Sequence, residues 1–161
     1  MPKIEIKTHP QMTIVGLAYH GKNQAREIPQ LWGQLMGRAG EIQKRDWSVR
    51  AGYGVSIMGE DYEETMVFDY IAGFPVLEAP DELPPGMGQF TIPERTYAAI
   101  TVPNLESISK AYDAVYRWIT QSGEFGVDLS GGNFNFELYG EEFMPDEGSE
   151  VFYIFVPLKE K

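Results

Sequence analysis

The sequence predicts an α+β fold of tandem duplicated strand–helix–strand–strand units, each with one further strand in front. Antiparallel sheets carry the helices on the outside and leave a central groove. Three observations predict it. Two amphipathic helical patterns lie about half a chain apart. Runs rich in β-branched and aromatic residues surround both, and a helix covering one face of a small antiparallel sheet is an α+β arrangement. Finally, Tyr53-Gly-Val-Ser-Ile-Met-Gly-Glu-Asp-Tyr62 overlays Phe134-Asn-Phe-Glu-Leu-Tyr-Gly-Glu-Glu-Phe143, with aromatic rings at both ends, Gly59 on Gly140 and two acids after each glycine. Self-similarity in a shared order of elements outweighs single motifs.

The elements follow in order. Runs 4–7 and 13–19 read as strands bounded by turn residues. Ile28, Leu31, Trp32, Leu35, Met36 and Ala39 then recur at helical spacing and line one face. Pro29 suits the first turn of that helix, and Gly40 is its expected stop. Runs 53–58 and 66–72 return as strands. The stretch EAPDELPPG at 78–86 is a stiff connector. It separates repeats of about 1–77 and 87–159 within a single domain spanning 1–161. In the second repeat, strands at 89–92 and 96–102 precede a helix carrying Ile108, Ala111, Tyr112, Val115, Trp118 and Ile119 on one face. Asn104 is placed to cap it and Gly123 to end it. Strands at 134–139 and 151–156 complete the unit.

Composition excludes several function classes. Of 161 residues, 43% are hydrophobic and 13% aromatic, enough to offset ordering entropy and to exclude a disordered chain. There is no cysteine, so disulfides, thiolate zinc sites, iron–sulfur ligation and cysteine nucleophiles fall away together. The formal net charge of −11 repels a phosphate backbone, whose binding rests on cations. With no basic run or zinc-finger pattern, no direct nucleic-acid partner is expected. The opening MPKIEIKTHP lacks a signal peptide's apolar stretch, and no run approaches the ~20 apolar residues that span a bilayer. A cytoplasmic protein with no membrane partner is expected. The acids Glu60, Asp61, Glu63 and Glu64, and Glu141, Glu142, Asp146 and Glu147, cluster in turns without EF-hand spacing. His9 and His20 offer little for haem ligation. No metal and no cofactor are expected.

Successive side chains on a strand point to opposite faces. On 134–139 the apolar Phe134, Phe136 and Leu138 are expected to meet the helix, leaving Asn135, Glu137 and Tyr139 facing away. On 53–58, Tyr53, Val55 and Ile57 take the helix side, and Gly54, Ser56 and Met58 the other. Two sheets meeting by their helix-free faces would enclose Glu137 among tyrosine, methionine and small residues. That is an apolar cleft with a few placed polar groups, where aromatic faces add attraction for a cation. Other readings stay open here. A glutamate on a strand face can simply be wet, and Tyr139 can be an ordinary cross-strand partner. Trp32 and Trp118, on core-facing helix stripes, can pack or reach the groove.

Three segments carry a family resemblance: Phe136-Glu-Leu-Tyr139, Ile154-Phe-Val-Pro-Leu158 and Phe68-Asp-Tyr-Ile-Ala-Gly-Phe-Pro-Val76. With the doubled half they resemble the GyrI-like small-molecule-binding family, the effector-binding domain appended to AraC-type and MerR-type multidrug regulators. The likeness covers nearly the whole chain. It implies a central ligand groove and, by motif position, that Glu137 sits in the pocket and meets lipophilic cationic drugs. The chain is expected to be a stand-alone member. Such members include the gyrase inhibitor, drug-binding proteins, and a subset that hydrolyses cyclopropanoid DNA-alkylating natural products.

Three functions follow as expectations. The first is a binding protein for hydrophobic cationic small molecules, with Glu137, Tyr139, Asn135, Met58, Ser56, Trp32 and Trp118 as ligand-binding residues. The second is a detoxifying hydrolase in which Glu137 is the general base on water and Tyr139 donates to the developing oxyanion. The third is a protein-binding module, with gyrase or a regulator as partner.

Overall fold

Every strand of the main sheet runs antiparallel to its neighbours. A computed structural model describes residues 3–161. In chain order the elements are β1 (Ile4–His9), β2 (Met12–Gly21), α1 (Glu27–Arg38), β3 (Gly52–Met58), α2 (Tyr62–Thr65), β4 (Phe68–Val76), β5 (Met87–Ile92) and β6 (Arg95–Val102). There follow α3 (Ile108–Ser122), β7 (Phe125–Val127), β8 (Asn133–Tyr139), β9 (Phe143–Met144), β10 (Ser149–Glu150) and β11 (Phe152–Glu160). The two long helices and all eight expected strands are present. The short pieces α2, β7, β9 and β10 carry too little periodicity to be read from sequence.

Nine of these strands form one sheet ordered β1-β6-β11-β8-β3-β4-β2-β5, with β7 added to β11, and β9 and β10 pair with each other apart from it. The sequence predicts two sheets. They are fused because the look-alike strands β3 and β8 pair with each other, from Gly52↔Tyr139 to Met58↔Asn133. Outward from this seam lie β4, β2 and β5 on one side, and β11, β6 and β1 on the other.

The edge strands are exchanged between halves. The sequence assigns each front strand to its own half, but β1 pairs with β6 and β5 with β2. The links at 10–11 and 93–94 each begin with a proline, Pro10 and Pro93. Proline fixes a negative φ, whereas tight two-residue hairpins use positive φ at the first turn position. The chain therefore crosses to the other half instead of folding back.

The sheet is strongly curled. Phe90 of β5 and Phe134 of β8 stand 5.1 Å apart between ring centroids, although four strand spacings would separate them by ~19 Å if flat. Glycines permit the curl: Gly73, Gly16 and Gly88 lie in register beside Tyr53 on successive strands. A Cβ on Gly16 or Gly73 would overlap the neighbouring strand's backbone. The concave face closes over its own core, including Tyr53, Val55, Tyr97, Phe134, Phe136 and Phe155. His9 is buried against the Tyr53, Tyr97, Phe136 and Phe155 rings.

Both long helices cover the convex face. Leu31 and Leu35 of α1 pack with Val15, Leu17 and Phe74. Ala111, Val115 and Ile119 of α3 pack with Ile100, Phe152 and Ile154. The Asn104 carboxamide accepts from the Ser107 backbone N–H at 3.0 Å and caps the turn leading into α3. Gly123 ends the helix with φ 74°. Helix α1 runs only to Arg38 and continues as a 3-10 turn through Gly40.

This arrangement reverses the expected pleat. Phe134, Phe136, Tyr53 and Val55 lie in the concave core, while Asn135 and Glu137 turn towards the helices. The reason is the curl: a concave face sealed by its own rings takes the largest apolar residues without help from a helix. Polar residues on the opposite face then find partners on the helices.

Candidate functional site

Glu137 lies at the seam, under the gap between α1 and α3, and is 5% exposed. Three tyrosine hydroxyls converge on its carboxylate. Tyr70 of β4 and Tyr139 of β8 donate to Oε1 at 3.0 and 2.6 Å. Tyr112 of α3 donates to Oε2 at 2.7 Å. Beyond them, Trp32 Nε1 of α1 donates to the Tyr70 hydroxyl at 3.1 Å, and Asn135 Nδ2 donates to the Tyr116 hydroxyl at 3.1 Å. Elements from both halves thus meet on one carboxylate.

Register explains the convergence. Across the seam Glu137 stands opposite Gly54. A Cβ on Gly54 would overlap the Tyr70 hydroxyl, so the bare backbone opens the space through which Tyr70 reaches Glu137. Tyr139 is held between rings, stacked on Phe152 at 4.8 Å and edge-on to Trp32 at 5.3 Å.

The electrostatics are unbalanced. No Lys, Arg or His among the described residues pairs with Glu137. Taking an ionised carboxylate out of water without a counter-ion costs several kcal/mol, and hydrogen bonds to a charged group return about 1.5–3 kcal/mol each. Burial pushes the Glu137 carboxyl above its ordinary value, while the Tyr139, Tyr112 and Tyr70 hydroxyls pull it back. Burial and the Glu137 charge hold all three phenols well above theirs. The arrangement can receive a positive charge or a proton.

Beside Tyr139 the surface opens into a cleft of about 580 Å³, lined by Arg45, Trp47, Arg50, Gly52, Phe74 and Tyr139 among others. Among the described residues, Tyr139 alone both lines this cleft and hydrogen-bonds Glu137. The groove is therefore closed at Glu137 by tyrosines and open one ring further out.

The structure brings together Glu137, Tyr139, Asn135 and Trp32. Ser56 sits opposite Asn135, at the side of the cluster, and Met58 lies at the far end of the ladder opposite Asn133. Trp118 is elsewhere, stacked on Phe125 at 6.3 Å in the α3 core. Sequence reasoning missed Tyr70, Tyr112 and Tyr116, and it put Gly54 on the Glu137 face without the clearance it gives Tyr70. Tyr112 and Tyr116 are one helical turn apart on α3, a stripe that reads equally as apolar packing. No group of three or more His, Cys, Asp or Glu able to hold a metal occurs among the described residues. Among them, no helix is long and apolar enough to cross a membrane.

The chain also matches the model of a known small-molecule-binding domain. The GyrI-like small molecule binding domain matches residues 2–159, and the chain belongs to this family. No curated protein matches the sequence. Among solved structures, SAV2435 bound to tetraphenylphosphonium is similar at 17% identity and TM-score 0.69, covering 98% of this chain and 94% of that one. The EcmrR C-terminal domain is similar at 14% identity and TM-score 0.72, covering 100% and 99%. A hydrolase encoded by lin2189 from Listeria innocua is similar at 13% identity and TM-score 0.55, covering 98% and 92%. At these identities the likeness establishes the fold.

Proposed function

We propose that the protein binds hydrophobic cationic small molecules at the seam, with Glu137 as their counter-ion. The observation that carries this reading is a buried carboxylate with three hydroxyl donors and no cation of its own. A lipophilic cation supplies the missing charge, and the aromatic walls add attraction for it. Tyr139, shared by cleft and carboxylate, is the ring that turns aside to admit it. SAV2435, of the same fold, is solved with such a cation. Tetraphenylphosphonium titrated into the whole protein by calorimetry tests the reading. Glu137→Gln is expected to weaken binding about tenfold or more, a loss of at least ~1.4 kcal/mol. Equal affinity of wild type and variant would overturn it.

The raised carboxyl beside phenols supports a second reading, hydrolysis of cyclopropanoid electrophiles. Glu137 would take a proton from water as its oxygen adds to a ring carbon. The ring C–C bond breaks, its electron pair moves into the conjugated carbonyl, and Tyr139 donates to the oxyanion so formed. Chromatography of an activated cyclopropane incubated with the protein decides it: ring-opened alcohol supports it, and unchanged substrate removes it.

A further inference from the structure

The cleft beside Tyr139 carries chemistry that a lipophilic cation does not use. In a chain of net charge −11, two guanidinium groups, Arg45 and Arg50, line it. Arg45 lies between two rings, its guanidinium carbon 4.1 Å from the Trp47 centroid and 3.8 Å from that of Phe74. Rings stabilise the flat faces of such a cation but provide no acceptor for its N–H groups. Arg45 Nε is buried without a hydrogen-bond partner, and Arg45 makes no ion pair among the described residues.

The acids nearby are engaged. Asp46 accepts from the Ser48 backbone N–H and hydroxyl. Glu78 pairs with Lys44, and Glu141 lies 3.6 Å from the exposed Arg50. What is left is a planar cation held in place by stacking, its Nε unmatched and the group without an acidic partner among the described residues, beside an apolar wall of Trp47, Phe74 and Tyr139. A carboxylate matches a guanidinium fork through parallel N–H···O bonds, and a volume of about 580 Å³ is within the range of small-molecule sites.

We infer that this cleft is a second subsite, for a small aromatic carboxylate, with the anion on Arg45 and Arg50 and the ring against Trp47 and Tyr139. The inference does not rest on Glu137 taking a cation. The two sites share only Tyr139, so one ring borders an anion seat on one side and a cation seat on the other.

Calorimetry on the whole protein with 2-naphthoate and its uncharged analogue 2-naphthamide tests it. Wild type is expected to bind the naphthoate about tenfold more tightly than the amide, the scale of one good charge-assisted pair. Arg45→Gln should abolish that preference. Arg50→Gln, on a side chain 78% exposed and so without consequence for folding, should reduce it about threefold. Equal affinity for the two probes in wild type, or a preference that survives in both variants, would overturn the subsite. Glu137→Gln separates the two readings: its effect falls on tetraphenylphosphonium and leaves naphthoate binding unchanged. A naphthoate preference that vanished with Glu137→Gln would also overturn the assignment.

Discussion

Strands β3 and β8 are look-alike segments lying side by side, yet they do opposite things to the space beneath the helices. Strand β8 puts Asn135, Glu137 and Tyr139 there, while β3 puts Gly54, Ser56 and Met58. In the overlay of the two segments Ser56 matches Glu137 and Met58 matches Tyr139. Across the seam, however, Glu137 faces Gly54. One strand supplies a charge and the other supplies the room that lets a distant tyrosine reach it. Such a cluster needs the two strands to differ where their fold is alike, so that neither strand's sequence would do in both places.

The contrast can be broken most severely at Gly54. Gly54→Ala places a methyl group where the Tyr70 hydroxyl sits, and Tyr70 is 1% exposed with nowhere to retreat. Overpacking of this kind costs roughly 1–3 kcal/mol, expected as a Tm lowered by about 2–4 °C per kcal/mol in a chain of this size. Differential scanning calorimetry reads it; an unchanged Tm would show that Tyr70 is not pinned by the seam.

Glu137→Gln sharpens the contrast through pH. Burial raises Glu137 above its ordinary 4.5, so above that value the folded protein holds more protons than the unfolded chain. The wild-type carboxyl accordingly favours the fold at low pH, and this advantage is lost as pH rises through the folded pKa. Removing the charge is expected to raise Tm at pH 7 relative to wild type, with the gain disappearing near pH 4. A gain equal at both pH values would contradict the sign. The smallest effect belongs to Ser56→Ala. Ser56 makes no side-chain hydrogen bond to the cluster, and a change within ~0.5 kcal/mol is expected in the same melts.

Much of this was legible in the sequence, for identifiable reasons. The helical stripes at 28–39 and 108–119 stand out because one face of each meets an apolar sheet, and Asn104 and Gly123 mark the two ends of the second through local backbone chemistry. Glu137 stands out as a charge inside a strand of large apolar residues. Its orientation does not. Phe134, Asn135, Phe136 and Glu137 are all buried, so alternation distinguishes two faces without saying which one the helix covers. Tyr70 was hidden for another reason: its role depends on an absent side chain on a different strand, which no local pattern records. The edge exchange is longer in range still, and only the prolines at 10 and 93 point towards it.

That exchange has a consequence for how the protein is made. Ile4 pairs with Ile100, so β1 must wait for residues from the second half before it can be zipped into place. Pairings this distant in sequence slow the search for the native state. Until then β1 has no partner, an open edge of the kind that draws in other chains. Once both edges are in place, each half is locked by a strand from the other.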